Sequence, residues 1–147
     1  CGVPVGAFLM TEKVGQHSLT AGDHGTTYGG NPLACAAVAK VLDLFEENNI
    51  LEHVREVSAY LEEKLDSLAA KYDFITDRRG MGLMQGLVFD RPVAPVINAA
   101  LENGLILINA GTDIIRFVPP LVITDADVDE MIEILDSCLK TFQEQNA

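Results

Sequence analysis

The chain has 147 residues, of which 48% are hydrophobic, so it is long enough to bury the core of one domain. Its formal net charge is −12, from 22 acidic and 10 basic residues, and the sequence contains no basic cluster. Such a surface repels the phosphates of nucleic acids and anionic membranes, which leaves small molecules and other proteins as partners.

The cysteines and histidines indicate neither a disulfide framework nor a metal site. Cys35 and Cys138 lie in apolar helical patterns, and no CxxC motif occurs, so the three cysteines are predicted to be reduced core thiols of a cytoplasmic protein. The three histidines lack the mutual spacing and the carboxylate neighbours of a metal site. We therefore expect no metal at His17, His24 or His53.

The first predicted elements are a strand and a long helix. The apolar run at residues 3–11 predicts a buried strand, and because a domain seldom begins inside a core strand, we expect the chain to be a fragment of a longer protein. An irregular stretch follows through Gly30. Asn31-Pro32 then predicts a helix start, and the helix runs to about Glu47 with so few polar positions that we expect it to be buried on most sides.

The next predicted elements alternate between helices and pairs of strands. Apolar residues at spacings of three and four predict an amphipathic helix over 51–72. FITD, RRGMG and LMQGLVF predict two short strands joined or kinked at glycines. The segment 92–103 predicts a helix that ends at Gly104, and LILIN and IIRFV predict two further strands.

The last helix begins with an acidic variant of the capping box, formed by Thr124 and Asp127 after the break at Pro119-Pro120. The whole order is strand, long helix, helix, two strands, helix, two strands and helix. That order predicts an α+β fold, in which helices cover one face of a small, mainly antiparallel sheet.

Hydroxyl groups and glycines precede the first long helix. Gly29 and Gly30 can take positive φ, and Thr26, Thr27 and Tyr28 supply hydroxyl donors beside the positive end of the helix dipole. This combination suits an anion, above all a phosphate. Because neither GK[ST] nor GxGxxG is present, the phosphate is not expected to be that of a nucleotide. An ordinary hydroxyl-rich turn with a helix cap is the alternative.

Two arginine motifs leave similar alternatives open. Arg116 interrupts the apolar strand IIRFV, and a buried arginine needs an anion, which is either a local acidic residue or a substrate carboxylate. Exposure on an edge strand is the third alternative. In RRGMG the glycines predict a bend or bulge, and Arg78 and Arg79 are predicted to be solvated. No catalytic triad, Cys-His dyad or spaced carboxylate pair can be assembled.

Three motifs together resemble one enzyme family. HGTTYGGNPLACAA at 24–37, RGMGLMQGL at 79–87 and IRFVPPLVIT at 115–124 are similar, in this order, to motifs of the class III aminotransferases of fold type I. The resemblance implies pyridoxal 5'-phosphate as cofactor, a small-molecule amino donor, 2-oxoglutarate as acceptor and a homodimer with shared active sites. It also implies three segments: an edge of the large cofactor domain at 1–31, an interdomain helix at 32–50 and a small C-terminal α+β domain at 51–147.

The resemblance also implies roles for individual residues. Thr27 matches the threonine that binds the cofactor phosphate across the dimer interface, Thr26 matches a residue that contacts substrate, and Arg116 matches the arginine that holds a substrate carboxylate. The family's Schiff-base lysine precedes a strand similar to VPVGAFLMT, so the chain alone is expected to be inactive. None of the five lysines matches it; they are Lys13, Lys40, Lys64, Lys71 and Lys140.

The amino donor stays open within the family, because the residues that distinguish one donor from another lie mostly outside these motifs. Outside the family, two alternatives remain. One is a stand-alone ligand-binding or regulatory α+β domain, and the other is an oligomerisation module without activity.

Overall fold

The chain divides into two units, residues 1–49 and 50–147, in a computed structural model that describes residues 2–145. The first unit holds the short helix α1 (Glu12–Gly15) and the long helix α2 (Pro32–Glu47). Cys1 lies outside the described residues. Among residues 2–145 no helix is both long and apolar enough to cross a membrane.

The predicted buried strand at residues 3–11 is wrong. All the strands of the described residues belong to the second unit, and Leu9 is 100% exposed. A strand is stable only when a neighbouring strand pairs with its backbone groups, and the described part of the first unit offers none.

Helix α2 begins where the sequence predicts. The side chain of Asn31 accepts a hydrogen bond from the backbone N–H of Ala34 at 2.9 Å, and Pro32 occupies the first helical position. The predicted burial of α2 is wrong, because none of its residues is buried and Leu33 is 76% exposed. Cys35 is likewise exposed rather than a core thiol. The physical reason is that α1, the only other helix among the described residues of this unit, has four residues and cannot cover α2.

The second unit is the α+β domain that the sequence predicts. Four antiparallel strands lie in the order β1-β2-β4-β3. Three helices accompany them, and α3 and α5 contact each other and form the helical layer with α4. In chain order the elements are α3 (Ile50–Lys71), β1 (Ile75–Met81), β2 (Met84–Phe89), α4 (Ala94–Glu102), β3 (Ile108–Asn109), β4 (Ile114–Phe117) and α5 (Asp125–Gln145).

The core lies between the helices and one face of the sheet. Leu61 and Leu65 of α3 meet Leu139 of α5 in one apolar cluster that also contains Leu87 and Ile115 of the sheet. The amphipathic pattern of α3 is therefore confirmed from residue 54 onward, whereas Leu51 is exposed at the helix start. Cys138 is buried as predicted, and burial raises the pKa of its thiol.

A polar contact joins the end of α3 to α5. The Tyr72 hydroxyl donates to Asp136 Oδ1 at 2.8 Å, and Lys71 Nζ donates to the same carboxylate at 2.6 Å. Burial alone would raise the pKa of Asp136, but these two donors hold it below its ordinary value. The carboxylate is therefore ionised at neutral pH and links the two helices.

Arg78 does not follow the prediction of a solvated side chain. It faces α3, is only 20% exposed and forms ion pairs with Asp66 and Glu62. Its Nη1 also donates to Oε1 of Gln85 at 3.1 Å, and Gln85 in turn donates to Glu62 and to the Gly82 carbonyl. The reason is the strand register, which pairs Arg78 with the core residue Leu87 and so points both at the helices.

Glycine and capping residues shape several elements, although the bulge predicted at the glycines of RRGMG is wrong: Gly80 pairs regularly with Gln85, and the register shifts between Ile75 and Asp77 instead. Gly80 lies in the left-handed region at φ 153°, and a Cβ there would overlap the Met84 carbonyl oxygen. Gly104 ends α4 with φ 86°. Before α5, the backbone N–H and the hydroxyl of Thr124 each donate to Asp127 Oδ2 at 2.7 Å, which lowers the pKa of that carboxyl.

Candidate functional site

The hydroxyl-rich turn of the first unit borders a cleft of about 650 Å³. The cleft is lined by residues 3–6 and by the turn before α2, including Thr26, Tyr28 and Gly30, whereas Thr27 lies outside its lining. Gly30 has φ 69°, as the turn requires. Thr26 packs so closely on Gly29 that a Cβ at Gly29 would overlap the threonine methyl group. The turn therefore favours glycine at position 30, whereas a side chain at position 29 would require the Thr26 side chain to move.

The donors of this turn fit a phosphate through side chains more than through the helix. Pro32 has no N–H, and Asn31 already accepts from Ala34, so the first turn of α2 offers fewer amides than the sequence pattern indicates. Thr26 and Thr27 are exposed, and among residues 2–145 their hydroxyls make no hydrogen bond. Two hydroxyl donors are thus available to an anion.

Arg116 lies on an inner strand of the second unit and points away from the core. On β4 it stands opposite Gly86 of β2 and Ile108 of β3, while its neighbours Ile115 and Phe117 face the helices. The side chain is exposed and forms no ion pair with any residue between 2 and 145. Neither a local acidic partner nor an edge strand explains it, so its guanidinium donors are available to a ligand.

A cavity of about 480 Å³ adjoins Arg116. Its lining is mostly apolar and comes from β3, β4, the Pro119-Pro120 segment and α5, with Arg116 and Asp127 as its charged members. Asp127 is already engaged by Thr124. The sequence gives no signal for this cavity, because the separated residues that line it, such as Ile106 and Met131, are ordinary apolar positions in the chain.

The structure places the predicted site residues in separate units. Thr26 and Thr27 belong to the first unit and Arg116 to the second.

His53 Nε2 lies 2.8 Å from the Ile123 carbonyl, so it links α3 to the segment before α5. In the part of the chain that the structure describes, no group of three or more His, Cys, Asp or Glu residues is arranged to hold a metal ion.

Comparison with known proteins gives consistent matches. The family model of class-III aminotransferases matches residues 1–139. The acetylornithine aminotransferase of Clostridium acetobutylicum is 43% identical over 140 residues, which cover 95% of this chain and 36% of that protein. The chain spans about a third of the length of the curated relatives it matches.

Solved structures agree with these matches. The acetylornithine aminotransferase of Elizabethkingia anophelis superimposes with a TM-score of 0.75 at 31% identity, covering 82% of this chain and 31% of that one. The lysine aminotransferase of M. tuberculosis gives a TM-score of 0.77 at 28% identity, covering 82% of this chain and 28% of that one. The fold therefore recurs in enzymes whose names refer to different amino donors.

Proposed function

The chain belongs to the class-III aminotransferase family, and on that premise we propose that it is the C-terminal part of an acetylornithine aminotransferase. The observation that carries the proposal is the 43% identity to such an enzyme over 95% of the chain. The complete enzyme would transfer the δ-amino group of N2-acetylornithine to 2-oxoglutarate, as a step of arginine biosynthesis. We also propose that it acts in the cytoplasm as a homodimer with shared active sites.

Pyridoxal 5'-phosphate is the cofactor of this family. The available hydroxyl of Thr27 would donate to the cofactor phosphate of the partner subunit's active site, and Thr26 would contact the substrate. The bound cofactor supplies an electron sink for proton transfer at the substrate carbon. In this proposal Thr27 would help to fix the phosphate, which sets the position of everything attached to it.

Arg116 would hold the substrate carboxylate. Its guanidinium is exposed, has no acidic partner among residues 2–145 and can bind a carboxylate through two parallel hydrogen bonds. Such a contact would orient the substrate through hydrogen bonds and move no proton. Arg116 is therefore a binding residue in this proposal, and the same contact serves the amino donor and the acceptor.

The substrate is tested with the complete enzyme and 2-oxoglutarate as acceptor. Amino donors to compare are N2-acetylornithine, ornithine, 4-aminobutyrate and lysine, the last because a lysine aminotransferase shares the fold. We expect kcat/KM for N2-acetylornithine to exceed the others by at least about tenfold, a difference of about 1.4 kcal/mol in transition-state binding. A higher value for another donor would replace the proposed substrate, and no transfer from any donor would favour a non-catalytic domain.

Replacing Thr27 with valine tests the phosphate contact. This change keeps the shape of the side chain and removes the hydroxyl, so the complete enzyme should lose one hydrogen bond to a charged group. We expect the cofactor dissociation constant to rise by about 10- to 100-fold, corresponding to about 1.5–3 kcal/mol. The matched control is Thr141→Val on the exposed side of α5, which should leave cofactor affinity unchanged. An unchanged constant in Thr27→Val would refute the assignment.

A further inference from the structure

The sequence contains a single Asn-Gly pair, Asn103-Gly104, and it lies at the exposed end of helix α4. The other asparagines are followed by proline, asparagine, isoleucine or alanine. Because glycine has no side chain, the backbone nitrogen after Asn103 is less shielded than a nitrogen that carries a side chain on its own residue. This nitrogen and the side-chain amide of Asn103 are the two groups that react when an asparagine loses its amide.

Both reacting groups are held by the last turn of α4. Asn103 caps the helix, and its side-chain nitrogen donates to the Ala99 carbonyl at 2.8 Å. The N–H of Gly104 donates to the Leu101 carbonyl at 3.1 Å. The space beside Gly104 is open, since a Cβ there would meet nothing within 4 Å. Helix ends fray, so the opening of this one exposed turn releases the nitrogen and the side chain together.

Two neighbouring asparagines lack this combination and serve as internal references. Asn98 lies inside α4, where its side chain and the next nitrogen can meet only if the helix breaks. Asn109 lies on β3, and the N–H of the following Ala110 donates to the Ile114 carbonyl at 2.9 Å. Its release requires that β3 detach from β4. Both asparagines also precede alanine, whose methyl group crowds the nitrogen.

We infer that Asn103 is a site of spontaneous deamidation, with water as the co-reactant. The Gly104 nitrogen gives its proton to the solvent and forms a bond to Cγ of Asn103, while the side-chain nitrogen takes up a proton and leaves as ammonia. Water then adds to one of the two carbonyl carbons of the cyclic imide, and the C–N bond at that carbon breaks. The product is aspartate or isoaspartate, according to which carbon the water attacks.

Either product weakens the junction between α4 and β3. Both replace the donor to the Ala99 carbonyl with a carboxylate, which lies at the negative end of the helix dipole and beside Glu102. Isoaspartate also adds a carbon to the backbone just before Gly104. The added carbon shifts the N–H of Leu105, which donates to the Ala100 carbonyl at 2.8 Å. Since Ala100 is fully buried and Leu105 packs against the core, the disturbance reaches the interior of the second unit.

Incubation of the purified chain at mildly alkaline pH, followed by peptide mapping with mass spectrometry, tests the reaction. Each conversion replaces NH2 with OH, and the peptide gains that difference in mass. We expect Asn103 to convert at least about tenfold faster than Asn98 and Asn109, with isoaspartate among the products. Conversion that is no faster than at these references would overturn the inference. Asn103→Gln should stop conversion at this position, because its longer side chain closes a less favourable ring; conversion at the parent rate would exclude the proposed route.

Thermal unfolding followed by circular dichroism tests the effect on the junction. Asn103→Asp carries the new charge without the longer backbone and should lower Tm by about 2–5 °C. Asn98→Asp adds the same charge inside α4, away from its carboxyl end, and should lower Tm less. The aged chain, which contains isoaspartate, should lose more than Asn103→Asp. An unchanged Tm after complete conversion of Asn103 would refute the weakened junction.

Discussion

Replacing Arg116 with glutamine should lower kcat/KM of the complete enzyme for both the amino donor and 2-oxoglutarate by about 10- to 100-fold. The reason is the loss of a charge-assisted, two-point contact with the carboxylate that both substrates carry, a contact of about 1.5–3 kcal/mol. Stopped-flow measurement of each half-reaction separates the two substrates. Cofactor affinity should not change, since Arg116 is assigned to the substrate and Thr27 to the phosphate.

Two controls make this result specific. The exposed Arg91 pairs with Asp90, so Arg91→Gln removes the same charge from the same unit and should leave both half-reactions unchanged. The free energy of unfolding of Arg116→Gln should stay within about 0.5 kcal/mol of the parent value, because the side chain is exposed and unpaired in the described structure. A loss for one substrate only would contradict a carboxylate contact that both share.

Replacing Gly80 with alanine should destabilise the second unit by at least about 3 kcal/mol. The backbone at Gly80 has φ 153°, which an L-residue with a side chain rarely adopts, and the new Cβ would overlap the Met84 carbonyl oxygen and lie 2.6 Å from Oε1 of Gln85. Relief requires β1 to move away from β2, and that movement would disturb the buried Gln85 network with Arg78 and Glu62. Urea unfolding followed by circular dichroism measures the loss.

Gly104→Ala is the matched control for this experiment. Gly104 also has positive φ, at 86°, but a Cβ there meets nothing within 4 Å. Alanine at this position should therefore cost only the backbone strain of about 1–2 kcal/mol. If the two variants lose the same stability, steric overlap at Gly80 is not the cause.

Local signals in the sequence predict element boundaries well. Asn31-Pro32 places the start of α2, and Thr124 with Asp127 places the start of α5, because each motif satisfies backbone groups that any helix end leaves open. The spacing of apolar residues also predicts α3, because residues three and four positions apart lie on one face of a helix. By contrast, the apolar patterns at residues 3–11 and along α2 predict burial. Such patterns do not specify which other element would bury these residues.

The arginines show why side-chain roles are harder to predict. Arg78 and Arg79 are adjacent and chemically identical, yet one is held by acidic residues of α3 and the other stands on the sheet face away from the helices. A shift of one residue in the pairing of β1 with β2 would exchange them, and the register depends on the irregularity between Ile75 and Asp77 and on contacts far away in the chain. The motif resemblance selects Arg116, but its exposure on an inner strand emerges only from the register with β2.

The strand order has a consequence for how the unit behaves at high concentration. β1 and β3 are the outer strands, and β3 has only two residues, so β1 is the longer of the two lateral borders. A border strand with free backbone groups can recruit the same strand of another molecule and begin an ordered aggregate. β1 carries Asp77, Arg78 and Arg79 in succession at its centre, and stacking copies in parallel register would place like charges side by side. The charged centre of β1 therefore protects the protein from assembling through its sheet.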